Sequence, residues 1–294
     1  ATTWKELRGD RTVYSSLFSI AGPIMLQNLL ISSFAVIDTL MIGQLGSVQI
    51  AAVGLANQIF FVTILFFFGL GSGASVFIAQ YWGKRDIPSI HTAMGVALVS
   101  AVLGALVVSG TSLLFPSQIM RLFTSDEAVI TYGVSYLRII AVSYVFTAVA
   151  FIFATSLRSI ERAKYPLIAT SFSLSVNVLF NYLLIFGKAG FPAMGVPGAA
   201  LATAISRGLE MVLTLLIAYR LKTPVAAPIR NYLSFDISFL KRYFKTALPV
   251  LINEIAWSFG MVAYKMVYAR MGTAVIASAN VSEAIQSLFF VIFI

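Results

Sequence analysis

A few side chains able to carry charge or bind a cation stand inside long apolar stretches of this sequence. Asp38 is the first, within Ala35-Val36-Ile37-Asp38-Thr39-Leu40-Met41. A carboxylate at the centre of a membrane-length helix costs roughly 2.5–3.5 kcal/mol on insertion scales, so it normally faces a cavity or a partner. Desolvation disfavours the charged carboxylate, which lets such a group change charge near neutral pH and relay protons. Its ionised form is also a hard oxygen ligand suited to Na+. The alternative is an aspartate hydrated at the nearby surface, because the loop at residues 43–46 is only a turn or two away. Asn177 and Asn181 are four apart and share one helix face, where they build a polar site or simply hydrogen-bond neighbouring helices. Glu254 follows Pro249 by five residues. Lys265 lies three turns further along nearly the same face, too far to pair with Glu254 directly, and its role is open. Arg207 and Glu210 are three apart and can neutralise each other as a structural pair, while Glu283 either lines a cavity or serves as a structural partner. Pro23 precedes Asp38 by fifteen residues. A proline inside a helix removes a hydrogen bond and commonly kinks it. The kink at Gly22-Pro23 is either static or a hinge whose bending answers to the state of Asp38.

The elements that position these groups are membrane spans. Hydrophobic residues make up 59% of the chain and charged residues 11%, with a mean hydropathy of +0.92, outside the range of a soluble domain. Apolar runs of about 20 residues or more are read as spans, and eight are found: 13–43, 50–82, 90–115, 128–155, 165–186, 196–221, 239–269 and 275–294. Pro116 ends the third, and Thr124-Ser125-Asp126-Glu127 supplies caps and first-turn acids for the fourth. Residues 188–198 form a Gly/Pro loop, and residues 222–236, with Pro224 and Pro228, are polar enough to link two domains. No removable signal peptide is expected from the charged residues that open the sequence, and the absence of cysteine in it excludes disulfides and thiolate metal sites among these residues. The glycines of Gly69-Leu70-Gly71-Ser72-Gly73 are no phosphate cradle, since they sit inside an apolar span; they permit close helix contact. His91 is expected at the surface.

The net charge of +9 is distributed by side. Lys5, Arg8, Arg11, Lys84, Arg85, Arg158, Arg162, Lys164, Arg220, Lys222, Arg230, Lys241, Arg242 and Lys245 fall on one side, whereas the alternate loops hold only Arg121, Lys188 and Arg270. Cytoplasmic loops carry the excess of Lys and Arg, so the N-terminus is expected in the cytoplasm, in a multi-pass protein of the inner (plasma) membrane. That pattern accounts for the charge, and nucleic acid is not expected as a partner.

An internal repeat runs through these spans. Residues 18–59 superpose on 244–285 without a gap, and Pro23/Pro249, Ser32/Ser258, Val36/Val262 and Gly46/Gly272 are among nine coincident pairs. Six spans separate the copies, so both have the same orientation and are parallel repeats, the organisation of many secondary transporters. The fold expected is all-α integral membrane. A six-helix N-terminal lobe (1–221) is followed by a cytoplasmic linker (222–238) and by the first two helices of a second lobe (239–294), which is expected to be incomplete and to make twelve helices if completed.

Several motifs then resemble a known family. They are Ala21-Gly22-Pro23-Ile24-Met25-Leu26, Val36-Ile37-Asp38-Thr39-Leu40-Met41-Ile42-Gly43-Gln44-Leu45-Gly46 and Ile50-Ala51-Ala52-Val53-Gly54-Leu55-Ala56, followed by Ala79-Gln80-Tyr81-Trp82-Gly83-Lys84, by Asn177 with Asn181-Tyr182, and by Gly195-Val196-Pro197-Gly198-Ala199-Ala200-Leu201-Ala202-Thr203. In this order they resemble the multidrug and toxic compound extrusion (MATE) transporters over the whole sequence. The resemblance implies a twelve-helix antiporter of two six-helix lobes arranged in a V, which exports large cationic amphiphiles against an inward flow of Na+ or H+. It also implies a first-lobe cation site at Asp38 with Asn177 and Asn181, and with Thr203 contributing from the sixth span; Asp38 and Asn177 would be metal ligands if the ion is Na+. Some members carry a second carboxylate where Asn181 stands, so this chain has one titratable group fewer there. Glu254 matches a branch in which a glutamate takes part in second-lobe cation binding. No cofactor is implied beyond the coupling ion, the partners are small organic cations and membrane lipid, and a monomer is expected.

Two other functions compete with the exporter. A lipid-linked oligosaccharide flippase of a related fold would favour an arginine-rich cavity, and the inner spans offer only Arg207. A retinal photoreceptor could use Lys265, but the third span has no carboxylate counter-ion and the repeat would be unexplained. No nucleophile–base arrangement or metal-ligand spacing points to an enzyme.

Overall fold

The computed structural model describes the backbone of residues 11–290 and the side chains of residues 21–286. All described secondary structure is helical. In chain order the helices are α1 (Arg11–Gly43), α2 (Ser47–Gly83), α3 (Ile87–Leu114), α4 (Pro116–Phe123), α5 (Glu127–Ile140), α6 (Ser143–Ser159), α7 (Lys164–Phe186), α8 (Val196–Arg220), α9 (Ile229–Tyr232), α10 (Ile237–Met271) and α11 (Thr273–Phe290). Among the described residues, α1, α2, α3, α7, α8 and α10 are each long and apolar enough to cross a membrane, and α5 with α6, bent against each other, pass the same test only as a pair. The eighth expected span coincides with α11, although residues 291–294 lie outside the described residues.

Side chains of the spans face outward where no partner covers them. On α3, Leu103, Leu106, Val107 and Leu114 are exposed, as a hydrocarbon solvent allows. The covered faces carry small residues instead. Helix α2 lies at the centre and packs against α1, α3, α5, α6, α10 and α11. A Cβ at Gly73 would lie 2.5 Å from the Ala247 Cβ, and one at Gly69 would lie 2.8 Å from the Leu251 Cα. Both positions therefore need glycine for α10 to reach α2. Tyr243 seals this contact by donating its hydroxyl to the Leu70 carbonyl while its ring stacks on Phe77.

The repeat is visible in the backbone. Pro23 and Pro249 both lie inside helices, α1 and α10. Gly46 and Gly272, in the turns that follow the two repeated helices, share an extended backbone with positive φ of 128° and 132°.

Two expectations need correction, and two need extending. The fourth span is not one helix: α5 and α6 meet at 53° around Ala141-Val142. No proline marks the bend. The Ser109 hydroxyl donates to the Ala141 carbonyl at 2.6 Å and the Ser143 hydroxyl donates to the Ile140 carbonyl at 2.7 Å, so side chains compete for the helical ladder there. Pro116 does not only end a helix; it opens α4, where its missing N–H costs nothing. The segment after α8 is more than a polar tether, because Val225, Ala227 and Tyr232 are buried and the Tyr232 hydroxyl donates to the Val225 carbonyl at 2.6 Å. His91 is not a free surface residue, since its Nε2 meets the Pro224 carbonyl at 2.9 Å and its ring stands edge-on to Tyr232.

Candidate functional site

The site starts from a polar stripe on α7. Thr170, Ser173, Asn177 and Asn181 are spaced three or four apart and all are buried, so an otherwise apolar helix presents one polar face inward. Opposite stands the face of α8 with Thr203, Ser206, Arg207 and Glu210, and α1 brings Asp38 and Gln27. Because the two last are eleven residues apart, three helical turns, they share one face of α1.

Two hydrogen-bonded groups result. In the first, the Asn181 amide donates to Asp38 Oδ1 and, at 3.2 Å, to Asn177 Oδ1; the Asn177 amide donates to Thr203 Oγ1 at 3.3 Å. Thus Asp38, Asn177, Asn181 and Thr203 meet across α1, α7 and α8. Asn181 is 0% exposed, yet its Oδ1 has no hydrogen-bond partner. A buried amide oxygen left unpaired costs about 1–3 kcal/mol, and a cation seated between it and the Asp38 carboxylate would satisfy it. The donors are hard oxygens, suited to Na+ rather than to a transition metal. Among the described residues no cluster of three or more His, Cys, Asp or Glu side chains could hold a metal ion.

In the second group Glu210 accepts from Arg207 Nη1 at 2.8 Å and from Thr170 Oγ1 at 2.7 Å. Gln27 donates to Thr170 at 2.9 Å and accepts from Arg158 Nη1 at 3.5 Å. The expected Arg207–Glu210 pair is therefore present, and it belongs to a network that joins α1, α6, α7 and α8.

Between the groups lies a cavity of about 300 Å³. Asp38, Asn57, Asn177, Thr203 and Arg207 give it polar walls, and Phe34, Phe60 and Tyr136 give it aromatic ones. Asn57 and Tyr136, which sequence reasoning passed over, are hydrogen-bonded to each other at 3.2 Å. The available signal was the adjacent amides Asn57 and Gln58 inside an apolar run.

The other candidates stand apart. Glu254 is half-buried on α10, does not line this cavity, and makes no hydrogen bond or ion pair with a described residue. Lys265 is buried and pairs with Glu283 at 2.6 Å, which makes Glu283 its structural partner. Pro23 sits in a continuous α1, and apart from the backbone of its own helix no described residue comes within 4 Å of a Cβ built at Gly22.

The family model MatE matches residues 23–183, more than half of the chain. The chain belongs to the MATE family. Among MATE relatives it is 28% identical to "Probable multidrug resistance protein YoeA" of Bacillus subtilis, over 96% of this chain and 62% of that protein. It is likewise 28% identical to "Multidrug resistance protein NorM" of Vibrio cholerae, over 94% of this chain and 60% of that one. The chain thus spans about three-fifths of the length of these relatives. In fold it resembles the MATE multidrug transporter DinF-BH, with a TM-score of 0.83 at 22% identity over 94% of this chain and 61% of that one. It also resembles an inward-facing multidrug resistance MATE transporter, with a TM-score of 0.79 at 22% identity over 94% and 62%.

Proposed function

We propose that the protein exports cationic amphiphiles across the plasma membrane in exchange for Na+ or H+. The observation that carries this reading is Asp38, a carboxylate inside an apolar bundle, held by a buried amide on the wall of a cavity large enough for a small organic molecule. The coupling cation would be bound by Asp38, Asn177, Asn181 and Thr203. The aromatic faces of Phe34 and Tyr136 suit a bulky organic cation, while the Phe60 ring already holds the Arg207 guanidinium at 5.4 Å. Arg207 offers little to the phosphates of a lipid-linked sugar, because Glu210 already neutralises it. The flippase reading gains nothing from this cavity.

The cycle is alternating access between a first lobe at 1–221 and a second lobe that begins at 239, joined by the linker 222–238. The N-terminus lies in the cytoplasm and the transporter works as a monomer in lipid. A ligand shifts a conformational equilibrium only through its differential affinity for the two states. Cation binding at Asp38 must therefore favour the orientation that releases drug, and drug binding must favour the other. Glu254 would serve a cation site of the second lobe, and Gly22-Pro23 would absorb the bending of α1.

The test is ethidium efflux from cells expressing the protein from its complete gene, wild type beside Asp38→Asn, with the Na+ and pH gradients varied separately. Export that collapses in the variant supports the antiporter, and the gradient that matters names the ion. Undiminished export by Asp38→Asn removes Asp38 from coupling, and no export by a well-expressed wild type removes the exporter.

A further inference from the structure

A smaller cavity, of about 60 Å³, lies on another side of Asp38. Asp38, Thr39, Asn57 and Gly54 line it from α1 and α2, and Asn280 closes it from α11. Asp38 and Asn57 also line the larger cavity, so they form the wall between the two.

Asn280 is held there by a built arrangement. Its Oδ1 accepts from Lys265 Nζ at 2.8 Å, and its Nδ2 donates to the Ile50 carbonyl of α2 at 3.3 Å. The Lys265 side chain is 4% exposed and pairs with Glu283 at 2.6 Å, so α10 and α11 are pinned together as one unit. A Cβ at Gly54 would lie 1.8 Å from Asn280 Nδ2, so the amide occupies the notch that this glycine leaves in α2. Gly54 and Asn280 are also 226 positions apart, the period of the repeat. Equivalent positions of two repeats meet only where their pseudo-twofold axis passes, so this contact lies at the pivot between the repeats. One copy supplies the notch and the other supplies the plug.

We propose that Asn280 is a positioning residue: carried on the α10–α11 unit, it plugs the Gly54 notch and closes the second side of the Asp38 site, so that loading that site and moving the second repeat become one event. This rests on the cation-coupled reading above. With the plug seated, Asn280 covers Asp38 on that side and leaves only about 60 Å³ for solvent, so its attraction for a cation is less diluted there. Undocking the unit breaks the Ile50 bond and the Gly54 packing along with the α2–α10 contact that Tyr243 seals, while Lys265, Glu283 and Asn280 travel together. The step is conformational and should govern turnover rather than drug affinity.

The experiment measures ethidium efflux against concentration in the protein expressed from its complete gene, with each rate divided by the amount of transporter in the membrane. For Asn280→Ala, the maximal rate should fall roughly 10-fold, the lower end of the loss seen when a partner supporting a cation site is removed, with the KM for ethidium unchanged. Gly54→Ala should unseat the amide and give the same loss. Because both act through one contact, the double variant should be no worse than either single one. A wild-type maximal rate in Asn280→Ala overturns the inference, as does a double variant whose losses multiply, or a raised KM with an unchanged rate. Asn280→Ser replaces Asn280→Ala if the latter does not reach the membrane, with the same expectations. Asp38→Asn is run in parallel. If it is inactive while Asn280→Ala is normal, only this inference falls; if Asp38→Asn exports normally, the coupling reading falls and takes this inference with it.

Discussion

Removing the Glu210 carboxylate tests whether the network below the cavity is structural. Glu210 takes one charge-assisted hydrogen bond from Arg207 and another from Thr170, with side-chain exposures of 14% for Glu210 and 27% for Arg207. Hydrogen bonds to a charged group contribute about 1.5–3 kcal/mol each. The Arg207 bond belongs at the low end, because partial exposure screens it. The Thr170 bond, at a residue 4% exposed, is screened less. Glu210→Ala should therefore cost about 3 kcal/mol, since it also leaves a half-buried guanidinium unpaired. At roughly 2–4 °C per kcal/mol, the thermal midpoint in detergent should fall by about 6–12 °C. Glu210→Gln keeps an acceptor oxygen for one of the two donors, which bond to separate carboxylate oxygens, and should lose less than the alanine. Replacing the pair with Arg207→Met and Glu210→Leu together should recover much of the loss, because well-packed apolar side chains often replace a buried ion pair without cost. The assay is fluorescence-monitored unfolding of purified protein. An unchanged midpoint in Glu210→Ala refutes the reasoning, and so does a Glu210→Gln as damaging as the alanine, since charge rather than bonding would then dominate.

Three further outcomes are expected. Gly73→Leu should separate α10 from α2, because its Cβ alone would stand 2.5 Å from the Ala247 Cβ where about 3.5–4.0 Å is ordinary contact; a cost of about 1–3 kcal/mol in unfolding, partly relieved by Ala247→Gly, would bear this out. The Thr273 hydroxyl, followed by the amides of Val129 and Ala128, holds the Asp126 carboxyl below the usual carboxylate range. A folded-state pKa that is depressed stabilises above the unfolded value and loses that contribution as pH falls through the folded one. Asp126→Asn should thus lower the thermal midpoint at neutral pH, and the difference from wild type should shrink in acid. Pro23→Ala should restore a hydrogen bond in α1 and stiffen it; unchanged drug export and coupling in this variant would remove the hinge from the mechanism.

The sequence by itself determined the elements. Hydropathy gave the spans, because lipid leaves backbone groups no partner outside a helix and makes apolar length a direct measure of a crossing. The 226-residue period gave the relation between α1 and α10, since similar sequence in similar surroundings folds alike, down to the positive φ of Gly46 and Gly272. Asp38, Asn177 and Asn181 were legible for a related reason, as polar groups in hydrocarbon are costly enough to mark a site. What meets what was decided only in three dimensions. Helical spacing showed that Lys265 could not reach Glu254, but not that it would reach Glu283 on the next helix. The α5–α6 bend depends on the Ser109 hydroxyl, 32 residues from the carbonyl it engages, so no local signal announced it. Gly54 read as one small residue among many until α11 brought Asn280 into its notch. Periodicity fixes the face on which a residue lies, whereas its partner is set by which helices cross and how closely their small residues let them approach.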